Sequence, residues 1–283
     1  MSGIGNKGFV ERTIKNYDFR VKKKYGQNFL TDSAILNRIV DSVELTKDDA
    51  VIEIGPGLGA LTELLCNQAG FVLAYEIDQD LLPILEMNLN ATNYKILLKD
   101  ILKADVQQDI DIYLKEYKNI YVVANLPYYI TTPILTGLLS KKLPIKKYVM
   151  MMQLEVANRI CGKPDTKDYN ALSVWIEYRA KATKLFTVPR TVFVPAPNVD
   201  SAVVVLETYD ELPIPALDEE LFSKLIRQCF TQRRKTLYNN LCLAYDKSMV
   251  LNMLTELEIS PSIRAEVLSL SDFVRMSNYF THN

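Results

Sequence analysis

Ala50-Val51-Ile52-Glu53-Ile54-Gly55-Pro56-Gly57-Leu58-Gly59 is the stretch on which the fold turns. A short apolar run interrupted by one carboxylate reads as a buried strand. The glycines after it form a turn at which backbone amides can come close to a ligand. A helix over residues 60–68 follows, with Leu61, Leu64 and Leu65 inward, and Gly70 closes it. The unit is strand, glycine turn, helix.

Outward from this unit the alternation continues. Strands are expected over 71–77, 95–98, 121–124 and 148–153, and a helix over 79–90, where Pro83 is tolerated in the first turn. Residues 175–185 and 202–208 suggest a closing antiparallel pair. Upstream, Thr31 or Asp32 can cap a helix that carries Ile35, Leu36, Ile39 and Val40 on one face. Strands alternating with helices imply an α/β fold with a parallel, doubly wound sheet. Near residues 207–215 the chain turns acidic and carries Pro213 and Pro215, and beyond them the pattern is helical only. The expected organisation is a basic arm over 1–26, an α/β domain over 27–208 and a helical domain over 209–283.

Composition narrows the chemistry. The 283 residues carry a formal net charge of -1, so any binding of nucleic acid must come from local patches. One such patch is Lys22-Lys23-Lys24 in the arm. Another is Arg233-Arg234-Lys235, with Arg227 upstream. Both suit RNA phosphates, and a solvated tail or helix face is the plain alternative. The single histidine, His282, is next to last, which argues against a Ser-His-Asp triad, a Cys-His pair or a multi-histidine metal site. No metal is expected. The four scattered cysteines form no C-x-x-C and read as free thiols of a reducing compartment. No apolar run approaches a membrane span and the N-terminus lacks a signal-peptide pattern, so a cytoplasmic location is expected.

Three motifs carry the functional reading. In the first, Gly55, Gly57 and Ala60 also fit a dinucleotide fingerprint, and Glu76, at the end of the next strand, suits ribose hydroxyls in either case. Glu53 before the glycines and Asp100 after the third strand favour S-adenosylmethionine over a nicotinamide cofactor. A sulfonium ligand with a free amino group favours nearby negative charge, and an adenine amine can donate to Asp100.

The second motif is Tyr121-Val122-Val123-Ala124-Asn125-Leu126-Pro127-Tyr128-Tyr129, an apolar strand stopped by a proline. Pro127 cannot donate to a ladder and extends Leu126. The strand end thus offers the Asn125 amide, the Leu126 carbonyl and the Tyr128 ring, which suit a flat base with an exocyclic amine. The third motif, residues 193–201, is Phe-Val-Pro-Ala-Pro-Asn-Val-Asp-Ser. Its prolines stiffen a loop that could hold Phe193 over a base, where stacking is worth about 1–3 kcal/mol.

Together with Gln27-Asn28-Phe29-Leu30, these residues resemble the ribosomal RNA adenine dimethyltransferases, most closely the KsgA-type group acting on small-subunit RNA. The resemblance runs from Lys24 to about Phe280. It implies a Rossmann-like class I methyltransferase sheet with a small all-α C-terminal domain. It implies dimethylation of the N6 amines of two adjacent adenosines in the 3′-terminal hairpin loop of small-subunit RNA, with S-adenosylmethionine as cofactor. The implied partner is a 30S assembly particle, met by a monomeric enzyme. Asn28 and Leu30 would be lid contacts to the cofactor, and Gly55, Glu76 and Asp100 would meet its methionine, ribose and adenine parts. Asn125, Leu126 and Pro127 would lie where cofactor and target meet, with Tyr128 and Phe193 sandwiching the target base. Two other readings stay open: a large-subunit methylase conferring antibiotic resistance, and a non-catalytic RNA-binding assembly or transcription factor on the same fold.

Overall fold

The computed structural model describes residues 5–282 apart from 18, 20, 23 and 24. In chain order the elements are α1 (Lys7–Asn16), β1 (Phe29–Leu30), α2 (Ser33–Asp41), β2 (Asp49–Ile54), α3 (Ala60–Gln68), β3 (Phe71–Glu76), α4 (Leu82–Asn88), β4 (Tyr94–Leu98), α5 (Val106–Tyr113), β5 (Asn119–Asn125), α6 (Thr131–Ser140) and β6 (Ile145–Gln153). Then come α7 (Leu154–Ile160), α8 (Ala171–Arg179), β7 (Ala180–Val188), β8 (Phe193–Val194), β9 (Ser201–Thr208), α9 (Glu219–Cys229), α10 (Leu237–Leu241), α11 (Lys247–Glu256) and α12 (Leu270–His282).

The chain divides into two compact units. The first runs to Ala157 and includes Thr183–Glu207; the second comprises Asn158–Ala182 and the chain from Thr208 onward. The last of the three boundaries between them falls after Glu207. Asn158–Ala182, however, groups with the C-terminal helices rather than with the α/β unit. Its Tyr169, Val174 and Tyr178 are buried with Phe222, Leu225 and Phe273, and this shared apolar core draws the segment across.

The first unit is built on a seven-stranded sheet in the order β4-β3-β2-β5-β6-β9-β7. The strands from β4 to β6 pair in parallel, and β9 runs antiparallel to β6. Every residue of β2 is buried. Val51, Val123 and Val149 pack with Leu36, Ile39 and Val40 of α2. Each such side chain stabilises the fold by about 1.5–3 kcal/mol relative to exposure. Order reverses between β2 and β5, and the carboxyl ends of these strands open toward one crevice, as in other doubly wound sheets.

Two local expectations change. Residues 175–179 form the last turns of α8, not a strand. Asn170 caps this helix through Leu172 N at 2.8 Å, and Ser173 Oγ accepts from Asn170 N at 3.1 Å. This reciprocal capping outweighs the strand propensity of Val174, Trp175 and Ile176. The N-terminal segment also holds regular structure: Asn6 caps α1, and Val10 is 2% exposed in a cluster with Phe19, Phe29 and Leu85. Apolar burial thus ties down a stretch whose charge suggests a solvated tail.

In the second unit α9 carries a strongly amphipathic stripe of Phe222, Leu225, Ile226 and Cys229. Asp218 caps it through Glu220 N and Leu221 N, both at 2.9 Å.

Candidate active site

A cavity lies over the carboxyl ends of β2, β3 and β5. Its wall brings together Glu53, Gly55, Gly57, Glu76, Asp100 and Asn125 from separate strand ends. Asn28, Leu30, Leu126, Pro127 and Tyr128 border the same space.

The glycine turn works by close approach. Gly57 has φ of +60°, and a Cβ there would stand 3.2 Å from the Phe29 ring. Any side chain would therefore meet both backbone strain and a packed aromatic. On the far side of the crevice Gly26, with φ of +58°, packs where a Cβ would reach Pro127 and the Tyr129 ring, each at 3.3 Å.

Glu53 is 1% exposed, and neither carboxylate oxygen has a hydrogen-bond partner among the described residues. Burial outweighs the opposing influence of the nearby Thr62 hydroxyl and, with a smaller contribution from the neighbouring Glu76, pushes its pKa up to about 8. A buried carboxyl with no partner is costly, and a cation in the cavity would relieve the cost.

Glu76 is buried too, and burial raises its pKa. Its Oε1 accepts from Ile77 N and Asp78 N, both at 2.8 Å, so the backbone fixes the carboxylate at the end of β3. Asp100 Oδ1 accepts from Leu102 N at 3.0 Å. Beside these carboxylates Ile77 and Ile101 line the cavity, and Ile77 is left 47% exposed. The pair gives this part of the cavity apolar walls, which the sequence did not announce. The available signal was an apolar residue directly after each strand-end carboxylate.

At the end of β5, Asn125 Nδ2 donates to the Asn28 carbonyl at 3.2 Å. Leu126 N donates to Met151 O at 3.1 Å, and Thr131 Oγ1 to Pro127 O at 3.1 Å, which fixes the turn. Tyr128 is half-buried, and its hydroxyl lies 2.7 Å from Ser201 Oγ.

Phe193 lies elsewhere. β1 and β8 form a two-stranded antiparallel ribbon in which Leu30 pairs with Phe193 and Phe29 with Val194. Alternation puts Leu30 and Phe193 into the main core, while Phe29 and Val194 pack in the cluster that includes Val10 of α1. Phe193 is 3% exposed and is not among the residues lining the cavity. The ring expected over a base is here packed in the apolar core rather than open to the cavity.

The basic residues divide similarly. Lys23 and Lys24 lie outside the described residues. Lys22 Nζ bonds Asp78 Oδ1 and Asp80 Oδ2, each at 2.5 Å, and Gln27 Nε2 donates to Asp78 Oδ2 at 2.7 Å. Bonds to the two carboxylates hold the Lys22 pKa above its ordinary value. Burial alone would raise the Asp78 carboxyl, but Lys22 and Gln27 outweigh it and leave the pKa lowered. Lys22, expected on RNA, is thus engaged by Asp78 and Asp80, beside Glu76.

In the second unit residues 231–235 form an exposed connection between α9 and α10 rather than a helix face. The buried Asn240 side chain shapes it, donating to Cys229 O at 2.9 Å and accepting from Gln232 N at 3.0 Å. Arg233 donates to the Lys167 carbonyl and faces Glu266 at 3.8 Å. Arg227 donates to Ser223 Oγ at 2.9 Å. Arg234 and Lys235 are exposed.

The family model for ribosomal RNA adenine dimethylase matches residues 18–282. The chain is 46% identical to the ribosomal RNA small subunit methyltransferase A of Bacillus mycoides (strain KBAB4), over 98% of this chain and 97% of that protein. The enzyme of the same name from Bacillus cereus (strain B4264) matches to the same extent. Among solved structures, a dimethyladenosine transferase from Plasmodium falciparum superposes with a TM-score of 0.76 at 25% identity, covering 89% of this chain and 97% of that one. The 23S rRNA methyltransferase ErmE superposes with a TM-score of 0.69 at 26% identity, covering 89% and 99%. The sheet is accordingly that of a class I methyltransferase. With its strand-end carboxylates and Asn-Leu-Pro-Tyr turn on a sheet of this type, and a match over nearly its whole length, the chain belongs to the ribosomal RNA adenine dimethylase family.

Proposed function

We propose that the protein uses S-adenosylmethionine to dimethylate the N6 amines of two adjacent adenosines in the 3′-terminal hairpin loop of small-subunit ribosomal RNA. It does so as a cytoplasmic monomer acting on a 30S assembly particle. The observation that carries this reading is one cavity wall holding the orphaned Glu53 carboxyl, Glu76, Asp100 and Asn125 together.

The residues present fit the cofactor. Glu53 can hold its positive end, Glu76 its ribose hydroxyls, and Asp100 with Ile77 and Ile101 its adenine. When bound, S-adenosylmethionine supplies an electrophilic methyl on a sulfonium. The chain's task is to present the amine. The adenine N6 lone pair is delocalised into the ring, which makes it a poor nucleophile. Asn125 Oδ1 and the Leu126 carbonyl can accept its two hydrogens and favour a more tetrahedral nitrogen aimed at the methyl. Such placement and electrostatic preorganisation carry several kcal/mol of a barrier. Tyr128 offers the aromatic face for the base. The target is taken from a loop or unstacked, because N6 is hidden inside a duplex.

The small-subunit assignment over the large-subunit one rests on the 46% identity to small-subunit enzymes along the whole chain. Titration of S-adenosylmethionine by calorimetry tests the cofactor: a non-catalytic relative need not bind it, and Glu76→Ala should weaken the binding at least tenfold.

A further inference from the structure

The turn that carries Tyr128 is fixed without help from the phenol. Its backbone is held by Leu126 N on Met151 O and by Thr131 Oγ1 on Pro127 O. The Tyr128 hydroxyl nevertheless meets Ser201 Oγ at 2.7 Å. Ser201 is fully buried at the first position of β9, in register with Gln153 of β6. The residue before it is also anchored: Asp200 O accepts from Leu154 N at 3.0 Å, and Asp200 Oδ1 from Arg190 N at 2.9 Å. A half-buried ring at a cavity wall is therefore tied at its far end to a rigid strand. One hydrogen bond of this kind cannot be needed to form the turn. What it restrains is the swing of the ring about Cα–Cβ, since that motion would carry the hydroxyl away from Ser201.

We infer that Ser201 is a positioning residue: by holding the Tyr128 hydroxyl it fixes the place of the ring against which the target adenine rests, and it governs the second methyl transfer more than the first. The inference builds on the reading of Tyr128 as the base-contacting ring. In the first transfer N6 has two hydrogens, and Asn125 with Leu126 can orient it. After that transfer only one hydrogen remains, so one acceptor loses its donor. Orientation of the monomethylated base then falls more heavily on the aromatic face. A ring free to swing would tolerate the first transfer and impair the second.

The test is single-turnover methylation of 30S particles from an unmethylated strain by wild type, Tyr128→Phe, Ser201→Ala, the double variant and Ser201→Thr. The ratio of N6-monomethyl- to dimethyladenosine is read by mass spectrometry of the digested RNA. Each single variant is expected to slow the second transfer about tenfold, the scale of one lost hydrogen bond, and to accumulate the monomethyl product. The double variant should be no worse than either single, because the two groups form one interaction. Ser201→Thr, which keeps a hydroxyl, should restore dimethylation. Additive losses, or a wild-type product ratio in Tyr128→Phe, would overturn the assignment. Tyr128→Phe alone decides the matter should Ser201→Ala not fold. A wild-type enzyme that leaves small-subunit particles unmethylated would instead overturn the function on which the inference rests.

Discussion

The side-chain nitrogen of Asn125 donates to the backbone carbonyl of Asn28 at 3.2 Å, across 97 positions of sequence. This bond sets which way the amide points. With Nδ2 occupied by the chain, Oδ1 is the end left for a ligand, and no donor among the described residues reaches it. An acceptor held at that place suits an amine. The same contact ties the Gln27–Leu30 segment to the turn at which methyl transfer is proposed.

Asn125→Ala removes the acceptor and is expected to lower methyl transfer about 100-fold or more, the scale of losing one preorganised polar contact at a reacting centre. Asn125 is half-buried, so the thermal midpoint should change little. Turnover near wild type in a filter-binding assay would rule out the orienting role.

Glu53 makes the ligand-free protein sensitive to pH. Its folded-state pKa is about 8 against an ordinary 4.5. Between those values the folded chain holds a proton that the unfolded chain has released. Stability therefore falls as pH rises through the window and levels off above the folded pKa, with a slope of at most about 1.4 kcal/mol per pH unit from this group. Glu53→Gln has no such proton and should decline less steeply. Glu76, whose pKa is raised in the same direction, supplies part of the remaining slope. Urea midpoints from pH 5 to 8 without cofactor check this; parallel curves for the two proteins would contradict it.

Phe193→Ala is expected to destabilise the fold by about 3–5 kcal/mol, because a packed ring leaves a cavity behind. A ring lying open at the target site would cost far less stability while impairing transfer. Urea unfolding with a parallel activity measurement separates the two outcomes.

The basic positions should differ in their salt dependence. Arg234→Ala with Lys235→Ala removes two exposed charges and should flatten the slope of log affinity against log salt by about 1.5 units on 30S particles. Lys22→Gln should leave that slope unchanged, since its ammonium is engaged by Asp78 and Asp80. Its expected effect is on the N-terminal segment: faster amide exchange in α1 and weaker cofactor binding beside Glu76. An unaltered slope in the double variant would remove the loop from the RNA interface.

Much of this was legible in the chain because each element obeys a local rule. Glu53, Glu76, Asp100 and Asn125 all stand at strand ends that periodicity locates, and a doubly wound sheet brings such ends together. The glycine turn was readable because Gly55, Gly57 and Gly59 follow the strand at fixed spacing, and all three take positive φ. What escaped was decided at long range. Residues 175–179 look like a strand until the Asn170–Ser173 capping is seen. Phe193 reads as a loop aromatic until it is paired with Leu30, which lies 163 positions earlier (193 − 30). Lys22 reads as a free charge until Asp78 and Asp80 are brought beside it. Periodicity says nothing about such partners.

The most direct measurement is transfer of tritiated methyl from S-adenosylmethionine to intact 30S particles, 50S particles and naked RNA from an unmethylated strain, with the modified positions mapped. The proposed function requires label on 30S particles, as N6,N6-dimethyladenosine at two adjacent positions in the 3′-terminal hairpin loop of the small-subunit RNA. Label confined to 50S particles, or absent from all three while the cofactor is bound, would contradict it.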